Sequence, residues 1–563
     1  MFWSGLRPIR SRIYLDLTVL FLSTYGTIIN DIHHETTITF LSLAIASTIQ
    51  FLTAGLTRRW TISFPLIILI ILHIIHGIIA SSISSIGTFS IWIFSCLVIL
   101  TSIILSVLFP AVDISHPKGK YNVGIVDFHL PVSFEIDESK SYFHRLDTTD
   151  NDMNGFVSVR ILYPTNHINT NQKDGNRKIP YFNSNVKTVK EICKALMTVG
   201  APPPLNKLTW MMDTWQLSSI QAQLNVQPIT ESNDGDNKKL PMVIFSHGLT
   251  GNKFIYSYQG LNLASNGYFV AIIDHTDGSA IGMTKHDGTF LPYDSSIQDI
   301  AKECDVKYVR ARRQQTEHRS AELHAVTLAL LRMNESNIHQ LDRLGISFVN
   351  RLDTSNVAIG GHSFGSASAL TTAVRYPHLY SCVIAHDPAL DWSCDDARKV
   401  IFDAYRLKAS NVQYNGGTGG YEHDNHNDDS SVAVEQRKVS DSLTITANYA
   451  ENEINLHDMV DMLFLYSHEY YKKGWGGSTC TFAMHKHGQL GPRLNNCSDC
   501  VYIHHAQHSE FSDSCMMTPL WLARAIESTG KRNPHETAQE IADRTIDFLE
   551  RVARKKSIKP KLA

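Results

Sequence analysis

Apolar positions are spread unevenly along this chain, and the unevenness divides it in two. Over residues 1–112, Ile, Leu, Ser, Thr and Phe dominate. Four apolar stretches stand out: Ile13 to Ile29, Thr37 to Leu56, Trp60 to Ala80 and Phe89 to Val112. Crossing a hydrocarbon core takes roughly 20 apolar residues in a helix, a length the last three stretches reach. The first is shorter and carries Asp16. Runs such as Pro65 to Ile75 lack the polar face that a helix on the surface of a soluble domain shows. The pattern predicts an all-α transmembrane region of about four helices over 1–112. Arg7, Arg10 and Arg12 precede the first stretch, Arg58 and Arg59 separate the second from the third, and Lys118 and Lys120 follow the fourth. The other two loops have no Lys or Arg. This alternation predicts an integral, multi-pass protein with its catalytic domain in the cytosol.

Beyond this region the periodicity changes. Short β-branched runs alternate with helical stretches: Gly155 to Pro164, Leu240 to Ser246, Tyr268 to Asp274, Val357 to Gly360, Cys382 to Asp387, Met459 to Tyr466 and Val501 to His504 read as strands. Ile255 to Asn266, Val309 to Met333 and Ser366 to Arg375 read as helices between them. Buried strands separated by helices predict an α/β domain over 113–563, with a mainly parallel sheet flanked by helices. Two segments stand apart. Thr188 to Ile220, with Pro202 to Pro204, is expected over the surface. Asn411 to Ser442 is polar and Gly-rich and is expected as a flexible insertion within 411–442.

Composition narrows the partners. A net charge of −3 over 563 residues gives no basic field for nucleic acid. Cys497 and Cys500 form a lone CxxC, too little for a zinc site. His423, Asp424 and His426 read as a solvated loop, and His73 and His76 as an unmatched pair, so no metal or organic cofactor is expected. Asn334 and Asn496 head glycosylation sequons, which would suit a lumenal domain instead.

The chemistry is concentrated in Gly361-His362-Ser363-Phe364-Gly365, a GxSxG pattern between a strand and a small-residue helix. A serine on such a turn projects its hydroxyl from the sheet edge, and the glycines let strand and helix close up. A neutral serine needs a base, and α/β-hydrolases place nucleophile, acid and histidine in that chain order. Asp387 ends the next strand, with Asp391 as runner-up. His504, His505 and His508 follow the last strand, and His508 lies farthest past it. Backbone N–H groups must hold the oxyanion. Phe364 follows the nucleophile, and Leu249 sits in the loop Ser246-His247-Gly248-Leu249-Thr250-Gly251, where His247 is read as a structural residue.

These stretches resemble the plasma-type platelet-activating factor acetylhydrolases. The matching segments are PMVIFSHGLTGNKFIYSYQGLNLASNGYFVAIIDHTDGSA from Pro241, VAIGGHSFGSASAL from Val357, CVIAHD from Cys382 and HSEFSD from His508. VRILYPT from Val159 and YNVGIVDFHLP from Tyr121 are also similar to that family. The resemblance implies a calcium-independent serine phospholipase of α/β-hydrolase fold, acting on the sn-2 ester of phospholipids with short or oxidised acyl chains. It carries the triad onto Ser363, Asp387 and His508, and the oxyanion donors onto Leu249 and Phe364. It also implies lipid contact near Met211, Met212 and Trp215 and near Met516, Met517, Leu520 and Trp521. The link Pro388-Ala389-Leu390 before Trp392, the insertion and the apolar N-terminus depart from the family. A carboxylesterase or lipase on another ester, and a catalytically dead membrane scaffold, are the competing expectations.

Overall fold

The structure is a computed structural model. It describes residues 112–133, 154–166, 178–184, 186–200, 215–229, 239–303, 305–398, 460–473 and 499–558, with scattered positions between 68 and 109. Its centre is a nine-stranded sheet. In chain order the strands are β1 (Asn122–Ser133), β2 (Asn154–Thr165), β3 (Gln223–Leu224), β4 (Leu240–Ser246), β5 (Phe269–Ile273), β6 (Leu352–His362), β7 (Cys382–His386), β8 (Asp461–Ser467) and β9 (Asp499–Ile503). In space they run β9-β8-β7-β6-β4-β5-β2-β1-β3. The run from β9 to β5 is parallel. β2 pairs antiparallel with both β5 and β1, so the sheet is mixed rather than purely parallel.

Strand burial follows from the apolar runs. β5, β7 and β8 are buried at every position, as strands covered on both faces must be. Alternate side chains serve opposite faces. Val243, Phe245, Val270 and Ile272 join a core with helix α1 (Ser257–Ser265) and the C-terminal helix α5 (Pro534–Ile558). Met242, Ile244, Phe269 and Ala271 face the other way, toward α2 (Asp305–Met333) and α3 (Phe364–Arg375). A short helix, α4 (Leu520–Ala525), precedes α5. This three-layer arrangement is that of an α/β-hydrolase.

Several expectations change. The predicted transmembrane region is not supported: among the described residues, no helix is long and apolar enough to cross a membrane. Apolar length is a requirement for a span and not evidence of one. The four expected stretches lie almost wholly outside the described residues, as do the 411–442 insertion and Asn496. Thr188 to Ile220 is not simply a surface segment, because Val189, Ile192, Cys193, Trp215 and Ile220 pack into the core. Asn334 is buried and its Oδ1 accepts the Leu352 N–H at 2.9 Å, which removes that sequon from the surface.

Candidate active site

The turn at Ser363 is built by close backbone approach. Ser363 stands between β6 and α3 at φ +56° and ψ −116°, a conformation costly for a residue with a side chain. A Cβ on Gly365 would lie 2.1 Å from the Ser246 carbonyl oxygen, and one on Gly361 would lie 2.3 Å from the Gly365 carbonyl carbon. Only glycine lets the start of α3 press against the end of β4. The Ser363 N–H donates to the His386 carbonyl at 2.8 Å, tying the turn to the next strand.

Parallel pairing sets His362 opposite His386, so Ser363 and Asp387 leave neighbouring strands side by side. Asp387 is fully buried at φ +41°. Its Oδ1 accepts the Ser467 N–H at 2.6 Å, and its Oδ2 pairs with His508 Nδ1 at 2.9 Å. Burial pushes this carboxyl up, while the hydrogen bonds from His508 and Ser467 pull it back. A carboxylate here fixes Nδ1 as the protonated nitrogen, leaving Nε2 to accept a proton. His362, Asp387 and His508 bring ligand-type atoms within 4.8 Å of one another. Both Asp387 oxygens already accept hydrogen bonds, which suits a proton relay better than a metal centre. Asp391, the runner-up, sits apart in the turn Leu390–Trp392, where its carbonyl accepts from Arg313. His504 and His505 are exposed.

The His508 loop is held by groups the sequence did not reveal. The His508 N–H donates to Glu469 Oε2 at 3.0 Å, and the Tyr470 ring stacks on the imidazole at 5.2 Å. Tyr470 Oη donates to the Pro388 carbonyl, bracing the acid's loop as well. Glu510 accepts from the Gln507 N–H, the Thr529 hydroxyl and the Gly530 N–H. Asp513 Oδ2 accepts from Tyr181 Oη at 2.8 Å and the Tyr258 N–H at 3.0 Å. Burial pushes the Asp513 carboxyl up to about 7. Only Glu510 carried a signal, because the spacing Gln507 to Glu510 forms a capping box.

The Leu249 and Phe364 N–H groups donate to no acceptor among the described residues. Leu249 follows β4, and Phe364 is the first residue of α3, where helix geometry leaves N–H groups unpaired. The arrangement offers a hydroxyl on a strained turn, an imidazole oriented by a carboxylate, and two unpaired backbone donors.

The fold and the geometry of the site are those of the α/β-hydrolase class. The family model described as platelet-activating factor acetylhydrolase, isoform II, matches residues 107–393, and the chain belongs to that family. The match takes in Ser363 and Asp387 and stops before His508. A prolyl oligopeptidase family model also matches residues 348–446. The platelet-activating factor acetylhydrolase of Cavia porcellus is 32% identical over 201 residues, covering 34% of this chain and 43% of that protein. A putative phospholipase A2 of Schizosaccharomyces pombe is 24% identical over 303 residues, covering 50% of this chain and 62% of that protein. The matches thus span less than two thirds of these relatives. A ferulic acid esterase from Streptomyces cinnamoneus aligns over 78% of this chain and 93% of its own at 14% identity, with a TM-score of 0.43, too low to carry an argument.

Proposed function

We propose that this protein is a calcium-independent esterase that cleaves the sn-2 ester of phospholipids with short or oxidised acyl chains, a 1-alkyl-2-acetylglycerophosphocholine esterase activity. The observation that carries the reading is the 2.9 Å His508–Asp387 pair beside a serine held at φ +56°. His508 Nε2 takes the Ser363 proton, Ser363 Oγ attacks the ester carbonyl, and Asp387 stabilises the imidazolium. Leu249 and Phe364 N–H groups receive the oxyanion. The tetrahedral intermediate collapses, the His508 imidazolium gives its proton to the departing glycerol oxygen, and the lysophospholipid leaves. Water, deprotonated by His508, then attacks the acyl-enzyme, and the carboxylic acid is released as the proton returns to Ser363 Oγ. Backbone donors supply the stabilisation that a cation would otherwise give.

The assay compares short-acyl and long-acyl phospholipids, with a chelator present, on the full chain and on Ser363→Ala. Chelator-resistant turnover of the short-acyl substrate, abolished by Ser363→Ala, is expected. Preference for a triglyceride or simple carboxylic ester would replace the substrate assignment, and activity surviving Ser363→Ala would remove the mechanism.

The same reading gives the protein a lipid-surface contact. Leu520 and Trp521 on α4, and Ile526 just after it, are exposed close behind the His508 loop. Met516, Met517 and Trp215 are buried and drop out of that role. Trp521→Gln is expected to weaken partition onto phosphatidylcholine vesicles while leaving hydrolysis of a water-soluble ester unchanged; equal partition would remove α4 from the contact.

A further inference from the structure

The buried polar groups beneath the Leu249 loop have no place in the triad, yet they converge on one peptide bond. Gly248 and Leu249 share a trans peptide plane, in which the carbonyl and the N–H point opposite ways. Whatever holds the Gly248 carbonyl therefore aims the Leu249 N–H. That carbonyl lies 2.7 Å from His247 Nδ1 and accepts the Gly251 N–H at 3.0 Å. The other end of Gly248 is fixed too, because its N–H donates to Tyr256 Oη at 2.9 Å.

We propose that His247 is a positioning residue whose Nδ1–H holds the Gly248 carbonyl and so aims the Leu249 N–H at the oxyanion of the tetrahedral intermediate. This rests on the esterase reading of Ser363 and deepens it. The tautomer follows from the neighbours. A carbonyl only accepts, so the 2.7 Å contact requires a proton on Nδ1. Nε2 faces the His275 N–H at 3.2 Å, which requires a lone pair there. Arg319 Nη2 stands at 3.4 Å from Nδ1, too far to compete with the carbonyl. Burial and the Arg319 guanidinium push the His247 pKa well below the ordinary histidine value, so the ring stays neutral with one N–H.

His247 is itself held by buried groups on both sides. His275 Nδ1 pairs with Glu322 Oε2 at 2.7 Å, and its Nε2 meets Ser246 Oγ at 2.7 Å. Glu322 also accepts the Thr276 N–H and hydroxyl. This Ser246–His275–Glu322 chain looks like a second triad, but all three side chains are fully buried and no substrate reaches them. Its effect is to hold the His275 backbone N–H against His247. Arg319 donates to the His247 carbonyl at 2.7 Å, is anchored by Asp277 at 3.0 Å, and lies over the Phe364 ring at 4.2 Å. One guanidinium thus touches Phe364, one of the two donor residues, and His247, which holds the peptide of the other.

The test compares His247→Asn, which keeps an N–H near Nδ1, with His247→Gln, which moves it toward Nε2, and with His247→Leu, which removes it. Measured on the full chain with a short-acyl phospholipid, Gln and Leu should lower kcat roughly 10- to 100-fold, somewhat less than outright loss of an oxyanion donor, with KM nearly unchanged. Affinity for a trifluoromethyl ketone, whose hemiketal carries an oxyanion, should fall by the same factor, and Asn should restore most of both. Equal loss in Asn and Gln, or a change confined to KM, would overturn the proposal. If Ser363→Ala abolishes turnover while His247→Gln leaves kcat intact, only the positioning role fails; if Ser363→Ala retains turnover, the esterase reading fails first. Should none of the variants fold, neutron diffraction on the unaltered protein decides: deuterium on His247 Nδ1 supports the proposal, and deuterium on Nε2 overturns it.

Discussion

The turn at Ser363 and the loop at His508 meet in one site but are held in different ways. The turn is fixed by contact. Gly361 and Gly365 bring backbone to backbone at distances that exclude any side chain, and nothing that titrates takes part. The loop is fixed by groups that titrate. Glu469, Glu510 and Asp513 hold its backbone and its neighbours through carboxyl oxygens, and burial raises the latter two carboxyls. The position of the nucleophile is therefore indifferent to pH, while the position of the base depends on the protonation of buried acids.

The largest expected effect falls where the two halves join. Asp387→Asn keeps the shape but lets the amide face His508 Nδ1 with either a donor or an acceptor, so the tautomer is no longer fixed. A loss of about 10⁴-fold in kcat with little change in KM is expected by analogy with other triads; a loss under tenfold would show that Asp387 does not orient the imidazole.

Breaking the contact-held half comes next. Gly365→Ala puts a methyl into the Ser246 carbonyl, and the backbone of β4 has nowhere to yield. Destabilisation of about 3 kcal/mol or more is expected, read from the denaturant midpoint, with activity lost at every pH. A variant of unchanged midpoint would contradict the steric account.

The half held by titrating groups gives a smaller, pH-dependent effect. The Asp513 carboxyl sits at about 7 in the folded protein and near 3.8 when unfolded. Between those values the folded state binds the extra proton, so this contribution is full below about pH 4 and is lost as pH rises to 7. Asp513→Asn removes the titration while keeping an oxygen for Tyr181 and Tyr258. The stability of the unaltered protein relative to Asp513→Asn should fall from pH 4 to 7 and then level off; a difference independent of pH would remove Asp513 as the titrating tether.

What the sequence made legible follows the same division. The turn was readable because its parts are adjacent: Gly361, Ser363 and Gly365 stand in five residues, with a β-branched strand before them and small residues after. Chain order extended this to Asp387 and His508. The groups under the Leu249 loop were not readable, because α2 reverses the usual pattern. Gln315, Thr316, His318, Arg319, Ser320 and Glu322 are buried there, whereas periodicity assigns polar residues to the surface. The same limit applied to apolar residues. Met516 and Trp521 read alike in sequence, yet one is core and the other exposed, because hydrophobicity records a preference for leaving water and not what covers the side chain. Strand direction was equally silent: β2 has the composition of the strands in the parallel run but runs against β5.

The central claim, that Ser363 is an activated nucleophile, is tested most directly by treating the full chain with a fluorophosphonate and mapping the adduct by mass spectrometry. The account predicts one stoichiometric adduct on the peptide containing Ser363, formed far more slowly in His508→Ala. An adduct elsewhere, or none on a folded protein, would contradict it.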